Sequence, residues 1–100
     1  MSTVKHDDGL QARRRVLGDD YVERALTGLD SFNAEFQELV TEYCWGQVWT
    51  RPTLSDRQRS LINLAMISAL NRSHEFKVHV RGAIRNGCTV EEIRDTLMQV

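Results

Sequence analysis

The chain has 100 residues, 41% hydrophobic and 27% charged, which is typical of one globular domain and not of a disordered or fibrous protein. A formal net charge of −1 provides no basic field, which argues against nucleic acid and membrane surfaces as partners. The two cysteines match neither a disulfide framework nor a metal-ligand spacing, and no apolar run is long enough to span a bilayer. We therefore expect a single-domain cytoplasmic protein without a metal site.

Apolar residues recur with helical periodicity along the whole chain, and no segment alternates as a half-buried strand would. The predicted fold class is therefore all-α. Residues 1–9 are predicted to be a mobile start. The predicted helices cover residues 10–17, 21–29 with Asp19 or Asp20 as N-cap, 31 to about 48 with Ser31 or Asp30 as cap, 56 to about 71 with Ser55 as N-cap, 73–86, and 90–100.

The third predicted helix carries an apolar stripe at i, i+4 and i+7 spacing. Its members are Phe32, Phe36, Leu39, Val40 and Tyr43. Trp45 points well away from that stripe, so we expect it to contact a neighbouring subunit or a pocket. The only proline, Pro52, closes the segment and places Trp49 and Arg51 in a turn between helices.

The fourth predicted helix has apolar residues on almost every side, which predicts a central helix that is buried all round. A domain of this length has difficulty enclosing a helix, because small domains bury only roughly 60% of the surface that their unfolded chain exposes. Association with further copies of the chain is the simplest remedy. We therefore expect a homo-oligomer.

The last two predicted helices form a hairpin. Asn86 and Gly87 are a favourable left-handed C-cap pair, and Thr89 with Glu92 forms a capping box at the start of the final helix. That helix reaches Val100 without a glycine, a cap or a basic last turn, so we interpret the chain as cut in mid-helix.

Candidate chemistry lies on the fifth predicted helix, where Arg72, Glu75 and His79 fall on one line between two apolar sectors. A carboxylate at i can hydrogen-bond a histidine at i+4, which orients the ring and raises the pKa of the imidazolium. Such a histidine can act as a general acid or base. The alternative is a partly buried helical salt bridge without chemistry.

Arginines near the central helix could clamp a substrate carboxylate through two hydrogen bonds, or could form only surface ion pairs. They are Arg51, Arg57, Arg59 and Arg72. Trp45 and Trp49 are substrate walls in one interpretation and core or interface anchors in the other. Glu75 and His79 alone provide too few ligands for a metal.

Several separate blocks of this sequence resemble the carboxymuconolactone decarboxylase family, and the match covers almost the whole chain. The blocks are Arg14 to Gly18, Tyr21 to Leu26, Trp45 to Pro52, Arg59 to Leu61, Ala69 to Arg72 with Glu75 and His79, and Asn86 to Ile93. The resemblance implies a helical bundle of the alkyl-hydroperoxidase-D-like type, assembled as a trimer or hexamer. It also implies a further C-terminal helix beyond Val100, without which a hydrophobic groove would be open.

The resemblance further implies cofactor-free decarboxylation of 4-carboxymuconolactone, a lactone dicarboxylate, to the β-ketoadipate enol-lactone in protocatechuate catabolism. His79 would be the acid or hydrogen-bond donor and Glu75 its orienting or relaying partner, while Arg51 and Arg72 hold a substrate carboxylate and Trp45 and Trp49 wall the pocket. The peroxidase relatives carry a CxxC pair where this chain has Arg72 and Glu75, so thiol chemistry is absent. The alternatives are another proton-transfer or redox reaction in the same family, or a non-catalytic oligomeric or binding domain.

Overall fold

The computed structural model describes residues 4–100 and contains no strand in that range, so the all-α prediction is confirmed. The helices are α1 (Val4–Leu17), α2 (Asp19–Thr27), α3 (Ala34–Val40), a π-helix (Thr41–Val48), α4 (Asp56–Ala69), α5 (Ser73–Arg85) and α6 (Val90–Gln99). The chain divides into two compact units, Met1–Pro52 and Thr53–Val100, and each has a buried apolar cluster. None of the described helices combines the length and hydropathy needed to cross a membrane.

In the first unit, helix α1 begins at Val4 and not at residue 10. Residues 4–9, predicted as part of a mobile start, are therefore helical, and residues 1–3 lie outside the described range. Residues 4–9 pack as part of the helix because α1 and the π-helix approach each other closely at two glycines. A Cβ atom on Gly9 would lie 2.0 Å from the Thr41 carbonyl oxygen, and one on Gly46 would lie 2.3 Å from the Lys5 carbonyl oxygen. Only residues without a Cβ allow this contact.

The predicted third helix is split, because α3 passes into the π-helix at Thr41. The wider winding continues to the end of the segment, where the Trp49 N–H donates to the Cys44 carbonyl oxygen at 3.0 Å. The buried side of the π-helix consists of Thr41, Trp45 and Gly46. The apolar stripe identified in the sequence is largely exposed at Phe32, Phe36, Leu39 and Tyr43. The sequence prediction for Trp45 assumed 100° per residue throughout, which does not hold within the π-helix.

The start of α2 also differs from the sequence prediction. Its N-cap is Gly18, with φ of 93°, and Asp19 and Asp20 lie in the first turn. A positive φ favours glycine, which explains why an aspartate does not occupy the cap position. Both aspartates still lie near the positive end of the helix dipole, where negative charge is favourable.

In the second unit, α4 lies between α5 and α6, and Leu64 is fully buried with Ala83, Cys88 and Ile93. The predicted Ser55 N-cap is confirmed, because its hydroxyl accepts from the Gln58 N–H at 3.1 Å. Burial on every side is not seen within this chain. Two apolar residues of α4, Ile62 and Met66, and its C-cap residue Leu70 remain exposed.

The predicted C-terminal hairpin is confirmed. Gly87 turns the chain with φ of 91°, and Thr89 and Glu92 form the expected capping box. Side-chain contacts hold the hairpin to α4. The Asn86 amide donates to the Ser60 hydroxyl at 2.9 Å, and Arg57 forms an ion pair with Glu92.

Candidate active site

The first residue pair of the predicted site meets at the start of α5. Arg72 is the residue preceding the helix, and its guanidinium donates to a Glu75 carboxylate oxygen at 3.0 Å. The side chains of Arg72 and Glu75 are 62% and 42% exposed, so this ion pair contributes little to folding stability. A hydrogen bond from its own backbone, together with Arg72, holds the pKa of the Glu75 carboxyl below its usual value. Glu75 is therefore an anion at neutral pH.

His79 lies one helical turn after Glu75 and is half-buried. Burial lowers the pKa of its imidazole below the usual 6.5, and the negative charge of Glu75 opposes this effect without reversing it. The i, i+4 spacing of Glu75 and His79 predicted a raised pKa from the neighbouring carboxylate alone, and that prediction was wrong. His79 is therefore a neutral imidazole at pH 7, with one N–H to donate and one nitrogen to accept.

Core packing fixes the direction of this row of side chains. Phe76 and Val80, each directly after a member of the row, pack against the buried cluster around Leu64. Ala83, one turn beyond Val80, is fully buried there. The apolar face of α5 therefore anchors the helix, and the Glu75 and His79 side chains project along its flank.

A cavity of about 290 Å³ adjoins Arg72 in the same unit. It is lined by Ile67, Ser68, Asn71, Arg72, Ser73, Phe76 and Leu97. The Ser68 hydroxyl is buried without a hydrogen-bond partner in the described range, and Asn71 has a left-handed backbone with φ of 57°. Sequence reasoning missed both residues. The one available signal was Asn71 itself, since asparagine is enriched in the left-handed conformation that ends helices.

The two tryptophans lie in the first unit and stack on each other. Their ring centroids are 4.9 Å apart and their planes differ by 24°. Trp45 and Trp49 are only 5% and 7% exposed and pack with Ala12 and Val16 of α1. Trp45 thus finds within its own unit the partner that we expected in another subunit or a pocket.

The remaining residues that the sequence singled out do not belong to the row on α5. Arg51 is exposed just after Trp49, and its N–H donates to the Val48 carbonyl oxygen at 3.1 Å. Cys44 and Cys88 are free thiols. Burial raises the pKa of the Cys88 thiol, so this cysteine is a poor nucleophile at neutral pH.

We expect stability to depend on pH through His79. A folded-state pKa below the unfolded value of 6.5 contributes stability above pH 6.5, which is lost as the pH falls through the folded pKa. Glu75, whose pKa lies below 4.5, loses its contribution only below that pH. Urea unfolding between pH 7.5 and 5 should show a falling free energy of unfolding that His79→Gln flattens. His74→Gln, at an exposed position, should keep the wild-type slope, and an equal slope in both variants would contradict the assignment.

Comparisons with known proteins identify relatives of this chain. The model of the carboxymuconolactone decarboxylase family matches residues 34–100. The 4-carboxymuconolactone decarboxylase of Acinetobacter baylyi is 37% identical over 94 residues, covering 94% of this chain and 70% of that protein. The nitrosuccinic acid decarboxylase npaB of Metarhizium robertsii is 46% identical over 92 residues, covering 92% of this chain and 64% of that protein. This chain thus spans about two thirds of the length of these two relatives.

Proposed function

Because this chain belongs to the carboxymuconolactone decarboxylase family, we propose that it is a carboxy-lyase acting on 4-carboxymuconolactone. The products are the β-ketoadipate enol-lactone and carbon dioxide, and the reaction serves the catabolism of protocatechuate in the cytoplasm. The observation that best supports this function is the row of Arg72, Glu75 and His79 on α5, which combines a cation, an anion and a neutral imidazole.

The substrate's structure explains why such a row suffices without a cofactor. The departing carboxylate is attached to a ring carbon that is conjugated through the alkene to the lactone carbonyl. When the carbon–carbon bond breaks, carbon dioxide leaves and the electron pair moves through the alkene onto the carbonyl oxygen, forming a dienolate. A proton added to the carbon next to the carbonyl then gives the enol-lactone. The enzyme must stabilise the developing oxyanion and deliver that proton.

The row divides these tasks among its members. Neutral His79 donates its N–H to the developing dienolate oxygen, where preorganised donors are most effective. Glu75 orients the ring, and the proton added to the carbon next to the carbonyl comes from solvent water. Arg72 releases Glu75 and binds the second carboxylate of the substrate, which is carried on an acetate side chain of the lactone ring. This exchange costs little free energy because the existing ion pair is exposed. Arg51, Trp45 and Trp49 belong to the first unit, and the proposed mechanism gives them no step.

A second substrate class is favoured by the relative with 46% identity, which is named for nitrosuccinic acid. In that compound a nitro group beside the departing carboxylate can accept the electron pair, so the same row would serve. The test measures the carbon dioxide that the purified chain releases from each compound. Loss of the lactone is also followed by its ultraviolet absorbance. We expect kcat/KM to favour the lactone. Turnover of nitrosuccinate alone would support the second candidate, and turnover of neither would contradict both.

The enzyme assembles as a homo-oligomer in this proposal, a trimer or a hexamer. The first unit exposes a contiguous apolar series on α3 and its flanks, where Phe32 is 94% exposed and Phe36 and Leu39 are each 62% exposed. The second unit exposes Met66 and Leu70. Exposed apolar patches of this kind mark interaction surfaces in proteins.

Size-exclusion chromatography with light scattering tests the assembly. At micromolar concentration we expect a mass of at least three chains. Phe36→Glu should shift the protein toward the monomer because it places a charge in an apolar contact, whereas Phe36→Leu should leave the mass unchanged. A wild-type monomer would contradict the assembly without affecting the assignment of the reaction.

A further inference from the structure

The first unit exposes a row of large apolar side chains, which we call the α3 face. Each of its four residues is more than half exposed: Phe32, Phe36, Leu39 and Tyr43. Glu35 and Glu38 are exposed on the same helix, and neither forms an ion pair with another described residue. The α3 face is therefore an apolar surface with a negative edge, of the kind that marks an interaction site.

The second unit exposes a corresponding row on α4, which we call the α4 face. Ile62, Met66 and Leu70 follow one another at intervals of one helical turn and are between 45% and 70% exposed. Helix α4 contains no carboxylate after Asp56. Arg59 lies on the same side of the helix as Ile62 and Met66, three and seven residues before them. The α4 face is thus apolar with a positive charge near its start.

A groove between α4 and α6 adjoins the α4 face at Ile62. Its volume is about 570 Å³, and α4 contributes mainly apolar side chains to its lining. The one charged side chain among its lining residues, Asp95, is 78% exposed and lies 3.9 Å from the Arg94 Nε, so it remains solvated. Volumes of roughly 300–1,000 Å³ hold a drug-sized molecule, so an aromatic side chain fits easily.

The two units also carry opposite net charges. Residues 1–52 contain six Lys or Arg and nine Asp or Glu, a net charge of −3, whereas residues 53–100 contain seven and five, a net charge of +2. A contact between an α3 face and an α4 face joins opposite charges. Two α3 faces in contact would instead bring Glu35 and Glu38 against acidic residues, and like charges across an interface disfavour association.

We propose that the α3 face of one copy packs on the α4 face of a second copy, with its aromatic side chains entering the groove beside Ile62. This inference rests on the homo-oligomer of the proposed function and specifies its contact. Because two different surfaces meet, every copy offers one of each to its neighbours. Such a head-to-tail contact closes into a ring of several copies.

Two variants that each damage one face test this contact. Phe36→Glu damages the α3 face and Met66→Glu the α4 face, and both positions are exposed, so the folded chain tolerates the charge. Light scattering at concentrations up to millimolar should give the mass of one chain for each variant alone. An equimolar mixture should give two chains, because one intact face of each variant remains and no third copy can add. Native mass spectrometry with one variant labelled with ¹⁵N identifies the mixed pair.

Monomers in the mixture, or a Met66→Glu variant that keeps the wild-type mass, would overturn the proposal. Phe36→Leu and Met66→Leu, which keep each face apolar, should retain the wild-type mass. A wild-type monomer would overturn the contact together with the proposed assembly. Decarboxylation by the wild-type chain is measured separately, so failure of the contact leaves the proposed reaction unaffected.

Charge reversal tests the electrostatic part of the contact. On the Met66→Glu copy, whose α3 face is intact, Glu35→Lys should raise the Kd of the mixed pair roughly 5-fold. Asp8→Lys reverses an exposed charge on α1 of the same copy and should leave that Kd unchanged. An equal effect of the two reversals would overturn the head-to-tail arrangement, because its preference over two α3 faces in contact depends on this charge.

Discussion

Replacing His79 with asparagine should lower kcat for 4-carboxymuconolactone by about 10²- to 10³-fold, the range typical of a residue that supplies a proton or an oxyanion hydrogen bond. KM should change little, because the lost hydrogen bond forms to charge that develops only in the transition state. Steady-state kinetics that follow the loss of lactone absorbance measure both constants. We expect the loss in kcat because half-buried His79 is a neutral hydrogen-bond donor beside an anionic Glu75.

Two further substitutions make this result specific. His74→Asn changes an exposed histidine in the first turn of the same helix and should leave kcat near the wild-type value. Glu75→Gln keeps the shape of the side chain and removes its charge, and should lower kcat by roughly 10-fold because Glu75 acts through His79. Unchanged turnover in a folded His79→Asn variant would remove His79 from the mechanism and leave the reaction itself unaffected.

Replacing Gly9 with alanine should destabilise the first unit by about 3 kcal/mol, at the upper end of the usual cost of overpacking. The added methyl carbon would lie 2.0 Å from the Thr41 carbonyl oxygen and 2.8 Å from the Gly46 nitrogen, and both are backbone atoms that cannot move independently. Helix α1 would have to separate from the π-helix, which would loosen the stacked pair of Trp45 and Trp49. Urea unfolding followed by tryptophan fluorescence measures the effect.

Gly28→Ala is the matched control for this substitution. A Cβ atom at Gly28 would lie 3.5 Å from its nearest neighbour, the Arg24 carbonyl oxygen, which is an ordinary contact distance. We expect its urea midpoint to differ little from that of the wild type. Equal losses of stability in the two variants would show that the approach of α1 to the π-helix is looser than the structure describes.

The second unit could be predicted closely from the sequence because its boundaries depend on local signals. The Ser55 hydroxyl and the Thr89 hydroxyl each cap the helix that follows, and Gly87 supplies the positive φ that turns the chain. These interactions span three or four residues, which is the distance over which sequence patterns are informative. The row of Arg72 and Glu75 was predictable for the same reason, since both lie within one helical turn.

The first unit was harder to predict because its arrangement depends on distant contacts. The burial of Trp45 follows from a π-helix whose wider winding changes the side that packs, and apolar periodicity does not reveal such winding. The contact between Gly9 and Gly46 joins residues far apart in the chain. The pKa of His79 depends on burial by the tertiary structure, so local spacing gave the wrong direction.

The most direct test of the account is the amount of carbon dioxide released from the ring-attached carboxylate of 4-carboxymuconolactone by the purified chain at pH 7. The assay is run after treatment with a chelator and without added cofactor, using lactone labelled with ¹³C at that carboxylate. We expect one equivalent of labelled carbon dioxide for each lactone consumed, with the enol-lactone as the product. Recovery of unchanged lactone, or release of carbon dioxide only after a metal or cofactor is added, would contradict it.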